Sequence, residues 1–271
     1  MKIALAQLDI VWEDKAANRL KCENLARQAS EANVELLLFP EMTLTGFTMN
    51  VPMMGEEQNG DTTQWFQQLA KKYRVAVGFG VIEKILKGDK GKNNYIIVDK
   101  DGKLLSCYSK IHPFSFGEEA LHYQGGTSLA LISYKQWILS TFICYDLRFP
   151  EIFQAASKEA SIITIAANWP DERIQHWEIL LKARAIENQC YIAGVNRTGW
   201  GNGIKYSGAS MVVDPLGNVI SQAGSEEALI ICDIKLEKVY NIRDSFKLKK
   251  DRREDLYKNL YTTTELINIE T

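Results

Sequence analysis

The sequence predicts an α/β fold built on a mixed sheet, and three observations predict it. Short apolar runs of strand length end repeatedly at a proline, a glycine or a polar residue. Longer stretches between them carry helical spacing, and three pairs of runs are joined by tight turns of hairpin type. No linker rich in Pro, Ser or Gly interrupts the 271 residues, so the chain reads as one domain with a peripheral, charged tail from about residue 241.

Taken in order, residues 2–10 are apolar and β-like, as a central strand would be. Asp14 offers an N-cap for a helix to about Ala32, with Leu20, Leu25 and Ala29 spaced for one buried face. A second apolar run, 34–39, stops at Pro40, so Glu41 sits just past a strand end, where open α/β sheets present functional groups. Residues 43–60 lack periodicity and read as a long loop near whatever Glu41 faces. Asp61 with Gln64 suggests a capping box opening a helix through Tyr73. A strand over 75–82, a turn at 88–91 and a hairpin pairing 95–98 with 104–108 follow. Lys110 leaves the end of that hairpin into an aromatic-rich loop, 111–119. A second hairpin, 129–132 with 137–143, closes on Cys144. A helix over about 149–160, a strand over 161–167 ending at Asn168-Trp169-Pro170, a helix over about 172–189 and a strand over 190–195 come next. Gly199, Gly201 and Gly203 mark a loop, 209–213 and 219–222 a third hairpin, and 228–234 a last strand.

Composition narrows the function. With 46% apolar and 24% charged residues the chain has material for a core, and a net charge of −2 gives no reason to expect nucleic acid or an anionic membrane as partner. A small molecule is the default. No signal-peptide pattern and no run of about 18 apolar residues is visible, and five scattered cysteines suit a reducing cytoplasm better than a disulfide framework. Three scattered histidines give no metal-ligand spacing.

Cys144 ends the apolar run 137–143 and enters a polar, Pro-marked segment. Taken alone it is as well explained as a small core residue. A nucleophilic thiol needs a proton acceptor and positive charge where an oxyanion develops. None of the histidines sits at a strand end beside an orienting Asn or Asp, whereas Glu41 and Lys110 each follow a strand, as Cys144 does. Cys22, Cys107, Cys190 and Cys232 lie within apolar or helical patterns and read as packing residues. Arg184 and Glu187 are spaced for an i,i+3 ion pair, and Trp177 reads as a core aromatic.

Three blocks carry a resemblance: Phe39-Pro40-Glu41-Met42, Tyr108-Ser109-Lys110-Ile111-His112-Pro113-Phe114, and Ile143-Cys144-Tyr145-Asp146-Leu147-Arg148-Phe149-Pro150. In this order they resemble the signatures of the nitrilase superfamily of carbon–nitrogen hydrolases. The resemblance implies a four-layer α-β-β-α sandwich and a Glu-Lys-Cys triad. Glu41 would be the general base and later the acid, Lys110 the oxyanion-stabilising cation and Cys144 the nucleophile. A second family glutamate eight residues beyond the lysine would be Glu118, with Glu119 beside it as the other candidate, and the Tyr145 backbone N–H would complete the oxyanion hole. Lys110 beside Cys144 would lower the thiol pKa. No cofactor or metal is implied, and a homodimer is, with the helices over 149–160 and 172–189 as candidate interface.

Ala166-Ala167-Asn168-Trp169-Pro170, Arg173, His176-Trp177 and the run 183–189 look most like the ω-amidase branch, which hydrolyses the terminal amide of α-keto acids such as 2-oxoglutaramate and 2-oxosuccinamate and is tied to methionine salvage. Such a substrate carries a carboxylate, for which Arg173 and then Arg148 are the candidate partners, with Asn168 and Trp169 lining the pocket. Another amide specificity of the superfamily, on deaminated glutathione, a carbamoyl amine or a nitrile, is the alternative. A catalytically silent binder is the reading of another class.

Overall fold

A computed structural model describes residues 1–85 and 90–262. Residues 88 and 89 of the expected turn at 88–91 therefore lie outside the described residues. The strands are β1 Lys2–Gln7, β2 Leu36–Leu38, β3 Ala76–Lys84, β4 Gly91–Val98, β5 Leu104–Ser109, β6 Leu131–Tyr134, β7 Trp137–Ile143, β8 Ile162–Ala167, β9 Tyr191–Asn196, β10 Thr198–Gly201, β11 Ile204–Ser207, β12 Met211–Val213, β13 Val219–Gln222 and β14 Ala228–Asp233. The helices are α1 Lys15–Glu31, α2 Val51–Met54, α3 Asp61–Tyr73, α4 Glu119–His122, α5 Pro150–Ala156, α6 Ile174–Asn188, α7 Leu236–Ser245 and α8 Glu254–Leu260.

Two six-stranded mixed sheets form the centre, ordered β14-β1-β2-β3-β4-β5 and β13-β12-β9-β8-β7-β6. Each holds three parallel strands, β1, β2 and β3 in one and β7, β8 and β9 in the other, flanked by antiparallel partners. Side-chain alternation builds the layers. In β1 and β2, Ile3, Leu5, Leu36 and Leu38 join a core that includes Ile163, Ile165 and Val195 of the other sheet. Their neighbours Ala4, Ala6 and Leu37 face the helices, among Leu25, Ala29, Phe66 and Leu69 of α1 and α3. Helices α5 and α6 cover the second sheet through Phe153, Trp177 and Leu181. Helix, sheet, sheet, helix is the four-layer α-β-β-α sandwich that the sequence resemblance implies.

Several local expectations change. Asp14 does cap α1, accepting from the Ala17 N–H at 2.9 Å, and Leu25 and Ala29 are buried, but Leu20 is 72% exposed. The inward stripe of α1 is instead completed by Asn18, Cys22 and Ala26. Asp61 is the first helical residue of α3, not its cap. The cap is Gly60, and Gln64 turns back to the Asn59 carbonyl, so no capping box forms. The glycine-marked loop is a short hairpin, β10-β11, and the segment 43–60 contains α2. The helix expected over 149–160 is only the seven-residue α5, preceded by a 3-10 turn over Cys144–Arg148. Cys22 and Cys190 are buried, whereas Cys107 is exposed and Cys232 only partly covered. Trp177 is fully buried, as expected of a core aromatic, and its indole donates to the Ala209 carbonyl at 2.9 Å. Among the described residues no helix is long and apolar enough to cross a membrane.

Candidate active site

Glu41, Lys110, Cys144 and Asn168 come from the ends of β2, β5, β7 and β8, and the two facing sheets bring these ends together. β2 stops because Pro40 has no N–H to continue the ladder. The chain then turns over β3, where Phe39 donates to Gly78 and Thr43 to Gly80. Met42 takes a left-handed backbone (φ +46°), which directs Glu41 inward to complete burial. Cys144 also has positive φ (+45°), at the junction of β7 with the 3-10 turn. For a non-glycine residue such backbone is strained and persists only where its surroundings enforce it.

Asp146 is part of that enforcement. Fully buried, its carboxylate accepts from the Ile143 N–H (3.1 Å), the Tyr108 hydroxyl (2.8 Å) and the His112 N–H (3.0 Å), and its Oδ1 lies 2.8 Å from His112 Nδ1. Tyr108 and His112 flank Lys110 in sequence, so one carboxylate ties the segment bearing the lysine to the turn bearing the cysteine. The Tyr108 hydroxyl is pushed well above its ordinary pKa by burial and by Asp146, so it stays a donor.

Lys110 is almost fully buried and donates to Glu41 Oε1 at 3.0 Å and to Glu119 Oε2 at 2.8 Å. Burial alone would lower its pKa. The carboxylates of Glu119 and Glu41 outweigh burial and hold the ammonium above its ordinary value. Glu41 Oε2 accepts from the Asn168 backbone at 2.9 Å and from its side chain at 3.3 Å, while the same amide donates to the Glu41 carbonyl at 2.7 Å. Asn93 donates to both Glu41 (2.7 Å) and Glu119 (2.9 Å).

The partner of Lys110 is thus Glu119, which corrects the placement of Glu118. A 3-10 turn over Ser115–Gly117 ends at Glu118, whose φ of +63° reverses the chain. Glu118 consequently lies exposed on the cavity wall, and the next residue, Glu119, is driven inside, where it also accepts from the Phe114 N–H at 2.6 Å. The spacing count cannot register such a reversal.

The thiol also departs from expectation. Burial raises the Cys144 pKa well above the ordinary value, and Glu41 adds to this more than Lys110 subtracts. Lys110 therefore does not lower the thiol pKa on balance: burial and Glu41 together outweigh it. Its sulfur lies 3.9 Å from the Asn168 carbonyl. Tyr145 is the second residue of the 3-10 turn, where N–H groups find no acceptor within the turn.

Lys110 and Cys144 open onto a cavity of about 480 Å³. Phe47, Thr48, Met49 and Asn50 of the 43–60 segment line it, and the Phe47 ring lies 5.3 Å from the Lys110 ammonium. Tyr145, Arg148, Asn168, Trp169 and Arg173 line it too, so every residue assigned to the pocket from sequence is on its wall. The Arg148 guanidinium lies over the Trp169 ring at 4.8 Å, and Arg173 stands 5.9 Å from the Phe114 ring. Burial, with Arg173 nearby, lowers the Arg148 pKa somewhat. Arg184 makes the expected ion pair with Glu187 at 3.0 Å, and also donates twice to the Leu147 carbonyl, bracing the turn after Cys144. Among the described residues no cluster of three or more His, Cys, Asp or Glu side chains could hold a metal ion.

Asn93 and Asp146 were not singled out from sequence. The Asn93-Asn94 pair directly before the apolar run 95–98 was the available signal for the first, since unpaired polar groups in a buried strand are costly. Starting that strand at Tyr95 instead of Gly91 hid it.

Residues 2–244 match the carbon–nitrogen hydrolase family. The chain belongs to that family. This carbon–nitrogen hydrolase is 33% identical to a 2-oxoglutaramate amidase of Bacillus subtilis over 94% of its own length and 98% of the relative's. It is 32% identical to the omega-amidase YafV of Escherichia coli, over 94% and 97%. A solved CN-hydrolase superfamily protein of Xanthomonas campestris, carrying an arsenic adduct in its active site, superposes with a TM-score of 0.88 at 30% identity, over 93% of this chain and 97% of that one. The carbon–nitrogen hydrolase described here is accordingly an amidase of this superfamily, acting on carbon–nitrogen bonds other than peptide bonds.

Proposed function

We propose that this amidase cleaves the terminal amide of short ω-amido α-keto acids, 2-oxoglutaramate and 2-oxosuccinamate, to the dicarboxylate and ammonia. The observation that carries the reading is that one cavity is lined both by Cys144 and Lys110 and by Arg148 and Arg173. The first pair suits amide cleavage and the second a substrate carboxylate. Guanidinium groups suit a substrate carboxylate through charge-assisted hydrogen bonds, and the names of the two relatives support the same substrate class.

In this mechanism the Cys144 sulfur attacks the amide carbon while its proton passes to Glu41. The Lys110 ammonium and the Tyr145 backbone N–H stabilise the oxyanion. The C–N bond then breaks, Glu41 returns the proton to the departing nitrogen, and ammonia leaves behind a thioester. Water attacks that thioester, giving its proton to Glu41. The C–S bond breaks, the carboxylate product forms, and Glu41 reprotonates the sulfur. A raised thiol pKa fits this cycle, because proton transfer then accompanies attack instead of preceding it. The enzyme works as a cytoplasmic homodimer in this reading, with α5 and α6 as candidate interface.

The deciding assay follows ammonia release from 2-oxoglutaramate, deaminated glutathione, a carbamoyl amine and an aliphatic nitrile in parallel. Highest kcat/KM on 2-oxoglutaramate, abolished in Cys144→Ala, is the expected result. Preference for another member of the panel overturns the substrate assignment, and turnover retained in Cys144→Ala overturns the mechanism.

A further inference from the structure

The buried site holds two carboxylates, Glu41 and Glu119, against one ammonium, Lys110. One cation cannot balance both, and two like charges this close normally drive one group to take up a proton. If Glu41 took it, the site would lose its base.

The residue placed to prevent this is Asn93, which is 1% exposed on β4. Its Nδ2 donates to Glu41 Oε1 at 2.7 Å and to Glu119 Oε1 at 2.9 Å, so it spans the same two carboxylates that Lys110 spans. Its backbone carbonyl accepts the Lys110 backbone N–H at 2.9 Å, fixing the lysine segment as well. The orientation of the amide is dictated, because turning it over would set a carbonyl oxygen against two carboxylates. Its own Oδ1 is left buried with no partner among the described residues. Buried amides ordinarily satisfy both ends; this one is committed to donating. Asn168, the other amide on Glu41, repeats the pattern, with Oδ1 likewise unpartnered among the described residues.

We propose that Asn93 is a positioning residue: by donating to Glu41 and Glu119 at once it favours the charged form of the pair and holds Glu41 in place as the base. This rests on the role assigned to Glu41 above. The charged or titratable groups facing Glu41 are Lys110 at the end of β5, Glu119 on α4, Cys144 after β7, and the phenols Tyr123 and Tyr206. Burial raises both phenols, Tyr206 to about 12, so neither supplies charge near neutral pH. Burial and Glu41 push Glu119 up against the pull of Lys110, which is the direction an added donor must oppose.

The test is the pH dependence of kcat/KM for ammonia release from 2-oxoglutaramate in Asn93→Ala and in Asn93→Leu, which is close to asparagine in size but donates nothing. The acid limb is expected to move up by about one pH unit or more, with kcat falling about tenfold or more and KM changing less. Reduced kcat with an unmoved acid limb would show a merely structural role and overturn the proposal. Infrared titration of the carboxyl stretch needs no substrate. A protonated-carboxyl band appearing at higher pH in either variant than in the wild type supports the proposal, and an unchanged titration overturns it. Failure of the catalytic reading is separately visible, as wild-type protein that releases no ammonia from the amide panel or a Glu41→Gln variant that retains full turnover.

Discussion

Glu119 accepts a 2.8 Å hydrogen bond from Lys110, and Glu118, one residue earlier, faces the cavity instead. Neutralising each should therefore separate them. Glu119→Gln removes a charge from the buried cluster and turns one acceptor oxygen into a donor, facing either the ammonium and the Phe114 N–H together or the Asn93 amide. We expect kcat to fall by about 10²-fold or more. Glu118→Gln should leave kcat within a few-fold and act on KM if on anything. Steady-state kinetics of the two variants, with circular dichroism to confirm folding, check this; equal losses would contradict the placement.

The raised thiol pKa predicts the pH behaviour of Cys144. Iodoacetamide should alkylate it slowly at neutral pH, with a midpoint above that of an ordinary thiol, because burial first and Glu41 second oppose the thiolate. The sign follows for variants. Glu41→Gln removes a negative neighbour and should move the midpoint down, while Lys110→Ala removes the positive one and should move it up. Both should still lose at least about 10²-fold in kcat, since on the proposed mechanism one deletes the proton carrier and the other the oxyanion's cation. A midpoint moving the opposite way in either variant would refute this electrostatic account.

Asp146 predicts a loss of stability and activity together. Asp146→Ala leaves the Tyr108 hydroxyl and the Ile143 and His112 N–H groups without an acceptor in a buried place. A cost of about 3 kcal/mol is expected, read as a lowered midpoint in urea unfolding. Asp146→Asn keeps the shape but must offer an N–H to one donor, so it should fall between Ala and wild type. Because Cys144 holds φ +45° only while its surroundings enforce it, kcat should fall in both variants even under conditions where they remain folded.

How much of this was visible in the sequence depended on what kind of information each residue carries. Glu41, Lys110 and Cys144 were locatable because each follows an apolar run that a proline, a hairpin end or a polar break terminates, and strand ends are a one-dimensional signal. The four layers were expected only through the resemblance, since apolar runs do not say which strands face each other. Glu118 was misplaced because one left-handed residue reverses the chain between it and Glu119. The thiol shift was misjudged for a related reason: adjacency to Lys110 was foreseeable, but complete burial beside Glu41 was a property of packing. Leu20 failed similarly, as helical spacing alone cannot choose between two stripes when Asn18 is the residue turned inward, donating to the Val11 and Leu44 carbonyls.

The two cavity arginines predict a split between charged and uncharged substrates. Arg173→Ala should raise KM for 2-oxoglutaramate by about 10-fold or more, the weight of one charge-assisted hydrogen bond, and should barely affect propionamide, which has no carboxylate. Arg148→Ala should do the same if it shares the carboxylate. It should also loosen Trp169, over whose ring its guanidinium lies at 4.8 Å, so that some kcat is lost as well. An unchanged KM for 2-oxoglutaramate in Arg173→Ala would remove that residue from the carboxylate site.

Gly80 predicts that the base can be disturbed without touching it. The backbone of Glu41 and Met42 crosses β3 directly over Gly80, so closely that a Cβ there would stand 2.2 Å from the Met42 nitrogen and 2.8 Å from the Glu41 carbonyl carbon. Those atoms are backbone and cannot swing aside. The crossing is further held by the Thr43 N–H on the Gly80 carbonyl and by the Gly80 N–H on the Thr43 hydroxyl at 2.8 Å. Gly80→Ala must therefore push the Glu41 turn away from Lys110 and Asn168, whose hydrogen bonds to it span only 2.7–3.3 Å. A displacement near 1 Å can cost about 10²-fold in rate, and overpacking of this kind costs about 1–3 kcal/mol in stability. The variant should stay folded and still alkylate at Cys144, yet lose most of its amidase turnover. Wild-type kcat in Gly80→Ala would mean that the Glu41 turn tolerates movement, and the geometry built around it would then lose its force.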